Sequence, residues 1–173
     1  SSPPLARRIQ QTFNTDTFRV YRSNDPIGVE LGGALKNVIA LAAGICDGME
    51  LGDNAKSALI TRGLVEIARL GKSLGGQRET FFGLSGLGDL ITTCASRHSR
   101  NRRVGEALGR GEKLSTILKK MQQVAEGVPT TRAVHRMART RKVEMPIAEE
   151  VYRICFHDKD PRRALKSLLR RPM

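Results

Sequence analysis

The sequence predicts an all-α fold of six to eight helices. Three observations carry this reading. From Ile27 onward the apolar residues recur at helical spacing. Prolines and capping residues stand where helices would begin, and glycines where they would stop. No convincing strand pattern appears after Pro26.

The elements follow in order. Leu5, Ile9 and Phe13 fall four apart after Pro3-Pro4, as on a short amphipathic helix. Thr17 to Arg22 then alternates apolar and polar through Phe18 and Val20, as a short strand would. Ser23-Asn24-Asp25-Pro26 reads as a turn or helix start. Leu31, Leu35, Val38, Ile39 and Ala42 lie on one face of the next helix. Asp53 or Asn54 is expected to cap another, which runs through Ile60, Leu64, Ile67 and Ala68 to Gly75-Gly76. Phe81 to Asp89 (FFGLSGLGD) reads as a glycine-rich loop. Ser99 can cap a helix through Val104 and Leu108 that Gly109 stops. Further helices are expected at 114–121, 130–141, 146–156 and 161–169, the last capped by Asp160. A lone helix and strand before an all-helical remainder point either to the end of a larger protein's preceding domain or to a small N-terminal decoration.

A length of 173 residues suits one domain that buries roughly two-thirds of its unfolded surface. With 39% hydrophobic and 27% charged residues the chain is globular rather than disordered. Thirty Lys and Arg against 17 Asp and Glu leave a net charge of +13, which points to an anionic partner. Cys46, Cys94 and Cys155 are odd in number and far apart, so a disulfide scaffold is not expected and a reducing cytosol fits. His98, His135 and His157 show no metal-ligand spacing, and no metal site is expected. The first residues lack a signal peptide's apolar stretch. Leu31 to Ile45 is too short to span a membrane and contains Lys36, so no stable membrane insertion is expected.

Lys36 is the most informative residue. It is the only charge in LGGALKNVIALAAGI, a stretch apolar on nearly every side and therefore expected to be buried, with polar Asn37 beside it. A buried ammonium is costly unless paired, which makes Lys36 a candidate proton donor or acceptor. Gly32 and Gly33 would let a helix or ligand approach closely. The plainer alternative is a lysine snorkelling to the surface. A second cluster spans Asp89 to Arg103: Asp89, then Thr93, then Ser99, Arg100 and Asn101 at a helix start. Free N–H groups and a guanidinium there suit a phosphate, against a solvated basic helix face. GLSGLG has the wrong glycine order for a dinucleotide loop and reads as a turn that positions Asp89. Val124-Ala125-Glu126-Gly127 reads as an ordinary connection with a lone acid.

The stretches GVELGGALKNVIALAAGICDG, NAKSALITRGLVEIARLG, FFGLSGLGDLITTC and SRNRRVGEALGRG closely resemble the NAD(P)-dependent glycerol-3-phosphate dehydrogenases of the bacterial type. AEGVPTTRAV resembles the family's VEGVxTTxA segment, with Ala125 where Val is commoner. The resemblance runs from about Phe18 to about Glu150. It implies reversible hydride transfer between NAD(P)H and dihydroxyacetone phosphate, giving sn-glycerol 3-phosphate for phospholipid synthesis. It implies Lys36 as catalytic acid/base, with Asn37 beside it and Asp89 on the substrate hydroxyl. Thr93, Ser99, Arg100 and Asn101 would hold the substrate phosphate; Arg100, Val124 and Glu126 would touch the cofactor. The implied fold is a multi-helix C-terminal domain like that of 6-phosphogluconate dehydrogenase. The family's GxGxxG-bearing Rossmann domain is not in this sequence. Residues 1–24 therefore resemble the end of that dinucleotide-binding domain, and residues 25–173 the helical substrate-binding domain. On its own the chain is expected to be inactive and to bind NAD(P)H weakly. Its partners would be dihydroxyacetone phosphate and sn-glycerol 3-phosphate, its own N-terminal domain and a second copy.

Two other classes compete. A basic helical nucleic-acid-binding module would use Arg97 to Arg103, Arg139 to Lys142 and Arg170-Arg171, but aromatics are only 4%, leaving few stacking platforms. A peripheral membrane helix would use Arg162, Arg163, Lys166, Arg170 and Arg171 around Leu165, Leu168 and Leu169. The first gives Lys36 and Asp89 no role, and the plainer reading of the second is a terminal helix docked on the core with a solvated basic face.

Overall fold

The computed structural model describes residues 2–171. In chain order the helices are α1 (Pro3–Phe13), α2 (Pro26–Gly48), α3 (Gly52–Ser73), the single turn α4 (Arg78–Phe81), α5 (Asp89–Ala95), α6 (Arg100–Gly109), α7 (Leu114–Lys120), α8 (Gly127–Arg141), α9 (Pro146–His157) and α10 (Pro161–Leu169). One π-helical turn, Leu84–Gly88, joins α4 to α5. The all-helical class holds, with more helices than expected because α4 and α5 are too short for periodicity to reveal.

Asp25 starts α2. One of its carboxylate oxygens accepts from the Gly28 N–H at 2.8 Å, and the other from the Gln77 N–H at 2.8 Å. The cap thus also ties α2 to the segment entering α4. The Gly28 N–H, then the Thr80 side chain and the Gln77 N–H, hold this carboxyl below its usual range against the opposing cost of burial. From there α2 runs through the core and packs against α3, α5, α6, α8 and α9. Leu35, Val38, Ile39, Leu41 and Ala43 are fully enclosed. By length and composition α2 could cross a membrane; here most of its apolar stretch is buried inside the fold.

The contact between α2 and α6 is unusually close. A Cβ at Gly44 would collide with the Arg102 carbonyl oxygen, and one at Gly48 with that of Glu106. From the other side, Gly105 faces the Leu41 carbonyl and Gly109 that of Ile45. Each helix carries two glycines four residues apart, so the backbones meet with no side chain between them.

Helix α9 has no local side-chain cap at Met145. Glu66 of α3 serves instead, accepting from Ile147 N at 2.8 Å and Ala148 N at 3.2 Å. Glu66 is 3% exposed. Burial pushes its carboxyl up to about 7, against the lowering effect of the two N–H donors and of Arg69 and Arg62. A carboxyl raised in the folded state from an unfolded value of about 4.3 stabilises fully below that value. That contribution is lost as pH rises through about 7. Glu66→Gln should therefore flatten the melting temperature against pH between about 5 and 8; identical slopes in both proteins would refute the assignment. Cys46, Cys94 and Cys155 are buried, and desolvation pushes the latter two thiols up to about 12.

Several local expectations are corrected. Thr17 to Arg22 forms no strand; the described residues hold no neighbouring strand to complete a ladder. The backbone of Val20 instead bonds to side chains, donating to Asn14 Oδ1 at 2.6 Å and accepting from Gln10 Nε2 at 2.7 Å. Leu5, Ile9 and Phe13 of α1 stay exposed. Neither Asp53 nor Asn54 caps α3, which begins one residue earlier at Gly52; Asp53 lies in its first turn. The glycine-rich segment is not all loop, since a π turn leads straight into α5 and Asp89 opens that helix. Ser99 and Asp160 cap α6 and α10 as expected.

Candidate active site

Lys36 lies on α2 with its side chain 19% exposed, and its ammonium donates to Asp89 Oδ2. Asp89 is brought there by the π turn. Gly32 lets this turn come close: the Ser85 carbonyl oxygen is 2.7 Å from where a Cβ would be. Gly33 has open space instead, so only the first glycine of the pair is required for a close approach. One turn along α5, Thr93 Oγ1 donates to the Asp89 carbonyl at 2.6 Å and lies 3.3 Å from Asp89 Oδ1. Asp89 Oδ2 is thus held by a cation, while the Thr93 hydroxyl ties down the backbone of the same residue.

A second chain of bonds starts at the next residue. Asn37 Oδ1 accepts from Asn101 Nδ2 at 2.9 Å, and Asn101 Oδ1 accepts from the Gly127 N–H at 2.8 Å. Asn101 is only 8% exposed. A side chain at Gly127 would press within 2.7 Å of the Asn37 carbonyl oxygen, so glycine is needed where α8 begins. Three helices, α2, α6 and α8, therefore meet through two amides.

Arg100 is the first residue of α6 and is exposed, with no acidic residue in that turn. Ser99 Oγ accepts from Arg102 N at 3.2 Å. The N–H groups that open α6 have no carbonyl one turn earlier to bond, which leaves an anion-attracting helix start. Val124, 62% exposed, and exposed Glu126 precede α8. Neither side chain forms a hydrogen bond with the Lys36–Asp89 pair; they adjoin the site through Gly127.

One contributor was missed in the sequence. Asp47 Oδ2 accepts from Arg102 Nε at 2.6 Å and from Lys56 Nζ at 2.8 Å, clamping the start of α6 to α2 and α3. The signal was present: Asp47 follows Lys36 by eleven residues, three helical turns, and so lies on the same face of α2.

A carboxylate-held ammonium beside a cationic helix start can serve a substrate that carries both an oxygen needing a proton and a phosphate. Residues 25–166 match the family model described as NAD-dependent glycerol-3-phosphate dehydrogenase C-terminus. The chain belongs to this family. The glycerol-3-phosphate dehydrogenase (NAD(P)+) of Geobacillus kaustophilus is 58% identical over 99% of the chain and 51% of its own length. That of Salinibacter ruber is 55% identical over 96% of the chain and 49% of its own. The crystal structure of glycerol-3-phosphate dehydrogenase from Coxiella burnetii superposes with a TM-score of 0.92 at 44% identity, covering 99% of this chain and 53% of that one. The chain thus spans about half the length of the glycerol-3-phosphate dehydrogenases it matches. These comparisons give the nucleic-acid alternative no support.

Proposed function

We propose that this chain is the substrate-binding and catalytic half of an NAD(P)-dependent glycerol-3-phosphate dehydrogenase. It would interconvert dihydroxyacetone phosphate and sn-glycerol 3-phosphate, the precursor of glycerophospholipids, in the cytosol. The observation that carries the reading is the joining of Lys36 to Asp89 next to the bonding of Asn37 to Asn101. Adjacent residues of α2 thereby carry the proton donor and anchor the start of α6, the turn that would hold the phosphate.

In the reductive direction the Lys36 ammonium donates a proton to the carbonyl oxygen as the adjacent carbon is reduced; in reverse the amine takes it back. Asp89 holds the ammonium in place and accepts from the substrate hydroxyl. Arg100 and the opening N–H groups of α6, placed by Ser99 and Asn101, hold the phosphate. Thr93, whose hydroxyl donates to the Asp89 backbone carbonyl, joins them on the phosphate side of the site. When bound, the reduced nicotinamide supplies the hydride. The residues here suit a share of the cofactor contact: exposed Val124 offers an apolar surface and Arg100 a cation for its phosphates. Glu126 stands exposed beside them. The larger share would fall to a preceding Rossmann domain, with residues 1–24 as its last part and residues 25–173 as the helical domain. A homodimer is the family's expected assembly.

Arg100→Ala in the full-length enzyme tests the phosphate assignment. Losing a charge-assisted bidentate contact should raise KM for dihydroxyacetone phosphate about tenfold or more. An unchanged KM would remove Arg100 from the phosphate site.

A further inference from the structure

Much of the molecule's charge lies outside the catalytic proposal. Residues 127–171 contain twelve Lys and Arg against five Asp and Glu, a net +7 of the chain's +13. Within this region α8 and α9 enclose a surface concavity of about 520 Å³. Its walls are His135, Arg139, Tyr152, Arg153, His157 and Lys159, with Glu149 between them.

This concavity is structurally organised. The His135 and Tyr152 rings stack with centroids 3.8 Å apart and planes 3° from parallel, and His157 meets Tyr152 edge-on at 5.3 Å. Glu149 accepts from His135 Nδ1 at 2.7 Å and pairs with Arg153 Nε at 3.0 Å. Buried Glu150 pairs with Arg153 Nη1 at 3.1 Å and with Lys159 Nζ at 2.5 Å. Lys159 also donates to Ser167 Oγ at 3.0 Å. Two carboxylates thus fix the cationic heads of Arg153 and Lys159 at the wall, while Arg139 stands exposed at the edge. Three permanent cations face two carboxylates across the recess. Such a recess concentrates positive potential, and fixed guanidinium forks match phosphate oxygens.

We infer that this recess is a second ligand site, which takes a small anion bearing two or more phosphate groups. Arg139, Arg153 and Lys159 bind the phosphates, and the His135–Tyr152 stack forms the floor. The site is made from α8, α9 and the segment that follows α9, away from Lys36, so it stands or falls independently of the Lys36 assignment.

Tyr152 provides the readout. The chain has no Trp and only two Tyr, so Tyr21→Phe leaves Tyr152 as the single strong emitter. Inorganic pyrophosphate titrated into this variant at near-physiological salt should change Tyr152 emission saturably. Arg139→Ala, on an exposed helix face, should weaken binding about tenfold, and Lys159→Ala similarly. Arg100→Ala should leave the titration unchanged. The inference is overturned by the absence of a saturable change, by loss of binding in Arg100→Ala, or by indifference to Arg139→Ala. Binding of anionic phosphatidylserine vesicles without pyrophosphate binding would also overturn it, making this face a membrane-docking surface.

Discussion

Lys36→Ala in the full-length enzyme should lower kcat about a thousandfold or more, with cofactor affinity nearly intact. Positioned proton transfer is worth roughly 10²–10⁴ in rate, and among the described residues Lys36 is the only cation paired with Asp89. The variant also leaves Asp89 partly buried without its cation, which adds to the loss. Lys36→Arg separates the two effects. It keeps a cation near Asp89, but a guanidinium cannot release a proton at neutral pH. Its kcat should stay low while the affinity for dihydroxyacetone phosphate recovers. Near-normal kcat in Lys36→Ala would end the acid/base assignment.

Gly105→Ala should destabilise the fold by about 3 kcal/mol or more. The new Cβ would meet the Leu41 carbonyl oxygen, a backbone atom that cannot rotate away. Relief requires α6 to separate from α2, which would disturb the Asn37–Asn101 bond and the clamp at Asp47. Gly33→Ala on the same central helix is the control. Nothing lies within 4 Å of a Cβ there, so alanine should be neutral or stabilise by up to about 1 kcal/mol. Denaturant midpoints measured together decide the matter; equal midpoints for both variants would show that the helices do not meet as described.

The sequence made the long helices legible because their apolar positions repeat and their caps are local. Asp25, Ser99 and Asp160 each act within three residues of their own position. It did not reveal α9's cap, because Glu66 lies 81 residues from Ile147 and only the folded chain brings them together. It misread Asp53 and Asn54 because several capping residues stood side by side. It overread Thr17 to Arg22 because alternation specifies a strand only where a neighbouring strand exists. In the site, Lys36 was conspicuous as a charge in an apolar helix, and the folded chain pairs it with Asp89. The Gly127 N–H was invisible, since a backbone donor has no residue signature; Asp47 was legible only by its register with Lys36, because on its own it looks like any helix-end acid.

The glycine crossing has a consequence for selectivity. On the proposed reading, α2 supplies the proton donor and α6 the phosphate grip. Their separation is set by two touching backbones rather than by adjustable side chains. The crossing therefore acts as a ruler for the substrate. A phosphorylated ketone one carbon longer would place its carbonyl out of register with Lys36, and the helices could not move apart to restore the fit.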